Sequence, residues 1–144
     1  MKTIDYWMLS QNTLSAYNKV CGPVLQKYDL PQVSFDILMF LANNPEYKTA
    51  QDISDIKGIK KNLVSIHVEK LVTVGFLERG LVEGDRRKVS LSLTQKAAPI
   101  VEEGLVAQRD FYQRIIAGIN AEDWDAYKRI NEQVVKNTQA ILNG

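Results

Sequence analysis

Cysteine and histidine occur once each in this chain of 144 residues, and proline only four times. A single cysteine excludes an internal disulfide. A single histidine, with no Cys, His or acidic cluster at ligand spacing, gives no metal-binding pattern. No glycine-rich phosphate loop is present, and no nucleophile stands at a recognised spacing from a base. Neither an enzyme, nor a cofactor, nor a metal is expected. The adjacent acids Glu102-Glu103 and Glu122-Asp123 diverge on helices and read as helix-start or surface charge. No apolar run reaches the roughly 18 residues of a membrane span, so no membrane association is expected. Asp5 and Gln11 interrupt the apolar residues at the start, which therefore does not read as a signal peptide. These absences fit a cytoplasmic chain of about one domain, 1–144, long enough to bury a core.

Excess charge of one sign is also missing, since the formal net charge is only +1. Its distribution is more informative. Residues 1–56 carry four basic and six acidic groups, and residues 97–144 carry five and seven, net −2 each. Residues 57–96 carry nine basic and four acidic groups, net +5. Positive charge confined to one segment is the footprint of local phosphate contact.

That segment contains the stretch around which the chain is organised, Gly58 to Thr94. At about 100° per residue, Leu63, Val64, Val68, Leu71 and Val74 fall on one face of a helix running from Lys60 to Val74. Lys61, Asn62, Ser65, Ile66 and Glu69 fall on the other. Gly75 stops the helix as a left-handed C-cap residue. After Phe76-Leu77 comes a polar tip with Gly84, Arg86, Arg87 and Lys88. Val89, Leu91 and Leu93 then alternate with Ser90 and Ser92, the period of a half-buried strand. Helix, strand, charged turn, strand is the pattern of a winged helix on DNA. Upstream, Thr49-Ala50-Gln51-Asp52 forms a capping box that opens a short helix with Ile53 and Ile56 on its apolar side. Lys57-Gly58-Ile59 is the turn between the two helices. Together they make a helix-turn-helix with the second helix as reader.

The side chains on the outer face suit that task. Lys60 and Lys61 can pair with phosphates, Asn62 can bond an adenine edge and Ser65 several bases. Ile66 can meet a thymine methyl. Thr49 and Gln51, at the start of the preceding helix, complete the candidate DNA-facing set. The same residues would also make an ordinary solvated helix face; the capped helix before them and the basic wing after them favour DNA. His67, with Val64, Val68 and Leu71 on the inward side, reads as a boundary histidine held by a hydrogen bond.

The flanks are helical. Residues 4–28 form a long helix, with a kink or break expected at Gly22-Pro23. Pro31 starts a second helix over about 32–43, and Tyr47-Lys48 reads as a short strand edge against the wing. Residues 95–118 and 121–142 form two further amphipathic helices separated by Gly118-Ile119-Asn120. The fold class is mainly α with a small β-hairpin. A small winged part cannot bury the apolar stripes of three long helices, so a second copy is expected across a two-fold interface.

Residues 30–98 resemble the MarR family of winged helix-turn-helix transcription regulators. The resemblance is carried by Leu30 with Phe35-Asp36-Ile37-Leu38, by Thr49 to Ile56, by Leu71-x-x-x-Gly75-Phe76-Leu77-Glu78-Arg79, and by Asp85-Arg86-Arg87 leading into Leu91-Ser92-Leu93-Thr94. Pro31 stands where the family has Thr, Ser34 where it has Gln, and Ser54 where Ala is common. The resemblance implies a homodimer built by residues 1–29 and 95–144, with the winged part, 30–94, on double-stranded DNA. It implies a repressor on a palindromic operator, released by a small effector. It makes Arg87 the side chain that enters the minor groove, with Asp85 as support at the wing base or on a neighbouring arginine such as Arg79. It places a small apolar or aromatic effector where the flanking helices meet the winged part, near Tyr17, Cys21, Phe35, Met39, Phe111 and Tyr112. Cys21 reads as a packing residue, because oxidant-sensing relatives carry their cysteine nearer the start of the first helix. A winged-helix module that docks protein instead of DNA is the alternative, and salt dependence of binding separates the two.

Overall fold

A computed structural model describes residues 2–144, with Thr3 described in its backbone only; Met1 of the expected flanking segment lies outside the described residues. In order, α1 is Thr3–Tyr28, α2 Gln32–Asn43, α3 Ala50–Asp52, α4 Lys61–Thr73, β1 Leu77–Val82, β2 Asp85–Leu93, α5 Ala98–Ile115 and α6 Ala121–Asn143. A π turn, Ile53–Lys57, continues α3, and a 3-10 turn, Gln95–Ala97, leads into α5. The chain forms two compact units, one ending at Phe111 and the other spanning Tyr112–Gly144. It is mainly helical, with one antiparallel hairpin.

The core of the first unit is built on α2. Seven of its 12 residues, Ser34, Phe35, Ile37, Leu38, Met39, Phe40 and Leu41, are buried. A helix apolar nearly all round is stable only when neighbours cover it on several sides. Here Cys21 and Val24 of α1, Ile53, then Val64, Val68 and Leu71 of α4, Leu77, Leu91 and Ile100 of α5 share its core. Gly104 lets α5 approach closely: a Cβ there would stand 2.5 Å from Met39 Sδ and 3.1 Å from Phe35 Cε2. The α1–α5 contact is closed outside by Lys27 Nζ donating to Glu103 Oε1 at 2.5 Å.

The expected break at Pro23 is absent: α1 runs as one helix of 26 residues. Proline removes a single backbone bond from a long ladder. The helix ends at Asp29, in the left-handed region at φ 52°, with the Leu30 amide donating to Leu25 O at 2.9 Å.

In the hairpin, Leu77 pairs with Leu93 and the register runs to Leu81 opposite Val89. Val82 then pairs with Asp85, leaving Glu83-Gly84 as a two-residue turn with Gly84 at φ 81°. Arg86, Arg87 and Lys88 have no counterparts on β1 and form an irregularity on β2. They are therefore strand residues beyond the turn, not its tip. The expected strand edge at Tyr47-Lys48 is reduced to one bond, Leu91 N to Lys48 O at 2.7 Å.

Large apolar side chains stay exposed on α1, among them Ile4, Trp7, Met8 and Leu14. In the second unit no residue of α6 is buried, and Ile130, Val134, Ile141 and Leu142 are open. An aromatic group packs within that unit: Trp124 stacks on Tyr127 with centroids 5.1 Å apart, and its Nε1 donates to Tyr112 Oη at 2.5 Å. No helix among the described residues is long and apolar enough to cross a membrane.

Candidate nucleic-acid interface

The first helix of the helix-turn-helix is held by its cap. Thr49 Oγ1 accepts from the Asp52 amide at 3.1 Å, and Asp52 Oδ2 accepts from the amides of Thr49 and Lys48, each at 3.1 Å. Partial desolvation pushes the Asp52 carboxyl up, but these hydrogen bonds win and hold it below its ordinary range. Gln51 is exposed and donates to Asp55 Oδ1 at 2.7 Å. Ser54, the departure from Ala, has a use: its hydroxyl donates to Ile59 O at 2.8 Å and braces the turn into α4. Ile56, expected on the apolar side, is exposed because the π turn rotates it out.

In α4, Val64, Val68 and Leu71 are buried, whereas Lys60, Lys61, Asn62, Ser65 and Ile66 are exposed. Leu63 and Val74, expected inward, lie at the edges of the stripe and are open. His67 is half-buried, and its Nδ1 meets Ser34 Oγ at 2.8 Å. Burial, with a smaller contribution from Lys70, pushes its pKa down. This contact ties the reading helix to α2 through Ser34, the one buried polar side chain among the described residues.

The wing carries Arg86, Arg87 and Lys88, all exposed. Asp85 Oδ1 accepts from the Arg87 amide at 2.9 Å, so Asp85 shapes its own strand end. Arg79 is not its partner. The Arg79 guanidinium donates to Glu69 Oε2 at 2.6 Å, tying β1 to the reading helix. Both groups are exposed, so the pair contributes at most about 1 kcal/mol. It gives Glu69, the acid on the outer face of α4, a structural partner.

The effector residues divide. Tyr17 and Met39 border a cavity of about 150 Å³ together with Asp36, Lys57 and Gln108. Gln108 Nε2 donates to Tyr17 Oη at 2.9 Å, and Phe111 meets the Tyr17 ring edge-on at 5.3 Å. Burial pushes the Asp36 carboxyl up despite Gln32 and Lys57, and pushes the Tyr17 phenol up strongly. Cys21 and Phe35 do not border the cavity; both are fully buried core residues, and burial raises the Cys21 thiol pKa. Tyr112 belongs to the second unit, with its hydroxyl on Trp124. Asp36, Lys57 and Gln108 escaped sequence reasoning because they lie on three separate segments. Among the described residues no group of three His, Cys, Asp or Glu could hold a metal ion.

Comparison with known proteins agrees with this architecture. The sequence model of the MarR family matches residues 28–88. The HTH-type transcriptional regulator PecS of Dickeya dadantii is 30% identical over 113 residues, covering 72% of this chain and 68% of that protein. The crystal structure of transcriptional regulator PA3341 superposes with a TM-score of 0.83 at 18% identity, covering 94% of this chain and 98% of that one. A cysteine-to-serine mutant of MarR from E. coli, solved in complex with operator DNA, gives 0.69 at 17% identity, covering 91% of this chain and 94% of that one. With its helix-turn-helix, its hairpin wing and this kinship, the chain belongs to the MarR family of transcription regulators.

Proposed function

We propose that this chain binds DNA as a homodimer and represses transcription from a palindromic operator. The observation that carries the reading is the shared exposure of Lys60, Lys61, Asn62, Ser65 and Ile66 on α4 with the three-cation irregularity of β2. Each reading helix would enter a major groove, with Arg87 in the adjoining minor groove, where narrowing concentrates negative potential. Thr49 and Gln51 would face the backbone beside them. The open apolar faces of α1 and α6 support a two-fold partner, because exposed surface of that extent is costly in water. Half-sites about one helical turn apart follow from such a dimer. A cytoplasmic protein fits this role.

The cavity beside Tyr17 and Met39 is the proposed effector site. Its volume admits only a small molecule; Tyr17, Met39 and Phe40 offer apolar contact, and the Asp36 carboxyl, Lys57 ammonium and Gln108 amide offer hydrogen bonds, which suits a small aromatic compound with polar groups. Release of DNA requires that the effector bind one spacing of the reading helices better than the other.

The test is operator affinity measured across salt for wild type and Arg87→Ala. Counterion release predicts a steep linear fall of log affinity with log salt. Arg87→Ala should cost about 1–3 kcal/mol, the range for a groove contact, with dimerisation intact. Wild-type affinity indifferent to salt, or a neutral Arg87→Ala, would refute the reading.

A further inference from the structure

The nine basic residues between Lys57 and Lys96 are not equivalent. Arg79 is engaged by Glu69. Lys96 is engaged elsewhere again: its Nζ donates to the carbonyl of Val74 at 2.5 Å and lies 5.1 Å from the centroid of the Phe76 ring. Val74 closes α4. The helix end around it is a Schellman turn, in which the Gly75 amide donates to Val72 O at 3.0 Å and the Phe76 amide to Leu71 O at 2.9 Å. Gly75 sits at φ 87°, a conformation that favours glycine, and a Cβ there would lie 3.6 Å from Lys96 Cδ.

Three carbonyls that follow that turn are met from one place. Thr94 Oγ1 donates to Gly75 O at 2.5 Å, and the Thr94 amide donates to Phe76 O at 3.1 Å. With Lys96 on Val74 O, the three consecutive carbonyls Val74, Gly75 and Phe76 are bonded from Thr94 and Lys96, which directly precede α5. The ammonium at this point also meets the negative end of the α4 dipole, and the ring face of Phe76 attracts it further.

We propose that Lys96, with Thr94, is a positioning residue that clamps the C-terminal end of the reading helix to the start of α5. This rests on the DNA-binding reading above. α4 has 13 residues, so its two ends stand about 18 Å apart at the usual rise. A swing of a few degrees at the clamped end therefore displaces Lys61 and Asn62 by about an ångström, enough to spoil hydrogen bonds to base edges. Lys96 acts on the operator through the direction of α4, not by touching phosphate.

The experiment uses a duplex selected from random sequence by the wild-type protein, and the same duplex with its half-sites moved apart by one base pair. Affinities of wild type, Lys96→Met and Lys96→Arg are measured on both across a salt series, beside thermal midpoints. Lys96→Met keeps the stem over Phe76 but removes donor and charge. It should lose about tenfold on the selected duplex, the scale of coupling through packed elements, and its preference between the two spacings should narrow. Its salt slope should match wild type. Lys96→Arg, which keeps donor and charge, should restore both affinity and preference. A slope lower by about 0.9 in Lys96→Met would make Lys96 a phosphate contact and overturn the proposal. A lowered thermal midpoint with an unchanged spacing preference would reduce it to a helix cap and overturn it equally. Failure of the DNA-binding reading is seen in the wild type itself, which would then select no duplex.

Discussion

Gly104 offers a test of how tightly α5 is packed on α2. In an exposed helix, Gly→Ala stabilises by about 1 kcal/mol through the backbone alone. Here the new methyl would meet Met39 Sδ at 2.5 Å and both Met39 Cε and Phe35 Cε2 at 3.1 Å. Met39, 2% exposed, can give way only into the small cavity it borders, and Phe35, fully buried, has no such outlet. Overpacking of a filled core costs about 1–3 kcal/mol, so Gly104→Ala should be destabilising by about 1 kcal/mol net. Truncating Met39 reverses the sign. Met39→Ala alone should cost about 2–5 kcal/mol as a buried large-to-small change. In that background the methyl at position 104 enters vacated space, and Gly104→Ala should then stabilise by about 1 kcal/mol. The coupling in this double-mutant cycle is therefore about 2 kcal/mol, well above the additivity expected of independent sites. Urea unfolding of the four proteins at one fixed concentration measures it. A stabilising Gly104→Ala in the wild-type background, or additivity across the cycle, would refute the packing argument.

Three further outcomes follow from the same geometry. Asn62→Ala should narrow the ratio of operator to random-sequence affinity, whereas Lys61→Ala should weaken both about equally, since a phosphate contact carries no sequence; parallel behaviour of the two in a competition assay would disprove that division. The Asp52 carboxyl is held below its ordinary range by its caps, so its contribution to stability is present above the unfolded carboxylate pKa and lost as pH falls through the folded one. Asp52→Asn should accordingly flatten the acid limb of a thermal-midpoint profile, and an unchanged limb would show the cap to be energetically idle. A small aromatic compound that releases operator should raise the thermal midpoint of the wild type by binding the folded state. It should not raise that of Tyr17→Ala; a full shift in the variant would move the effector site away from the Tyr17 cavity.

Local rules reached far into this chain. The capping box of Thr49 and Asp52, the helix of residues 32–43, the Gly75 stop and the outward face of Lys61, Asn62, Ser65 and Ile66 are consequences of spacings within four residues, and spacing is what a sequence displays directly. Tertiary structure decided what depends on a surface ending or a distant partner arriving. Leu63, Val74 and Val89 match the apolar period yet stand open, because the surface that would cover them stops short. The three cations of β2 lie beyond the turn because the hairpin register slips between Leu81 and Val82, a property of the pairing and not of either strand. Ser34 finds His67 across 33 residues, Arg79 finds Glu69, and Lys96 finds Val74 across 22. The charge of Lys96 was legible from the start. Its place at the end of α4 was not, because Lys96 and Val74 become neighbours only when the hairpin closes and brings Leu93 back beside Leu77.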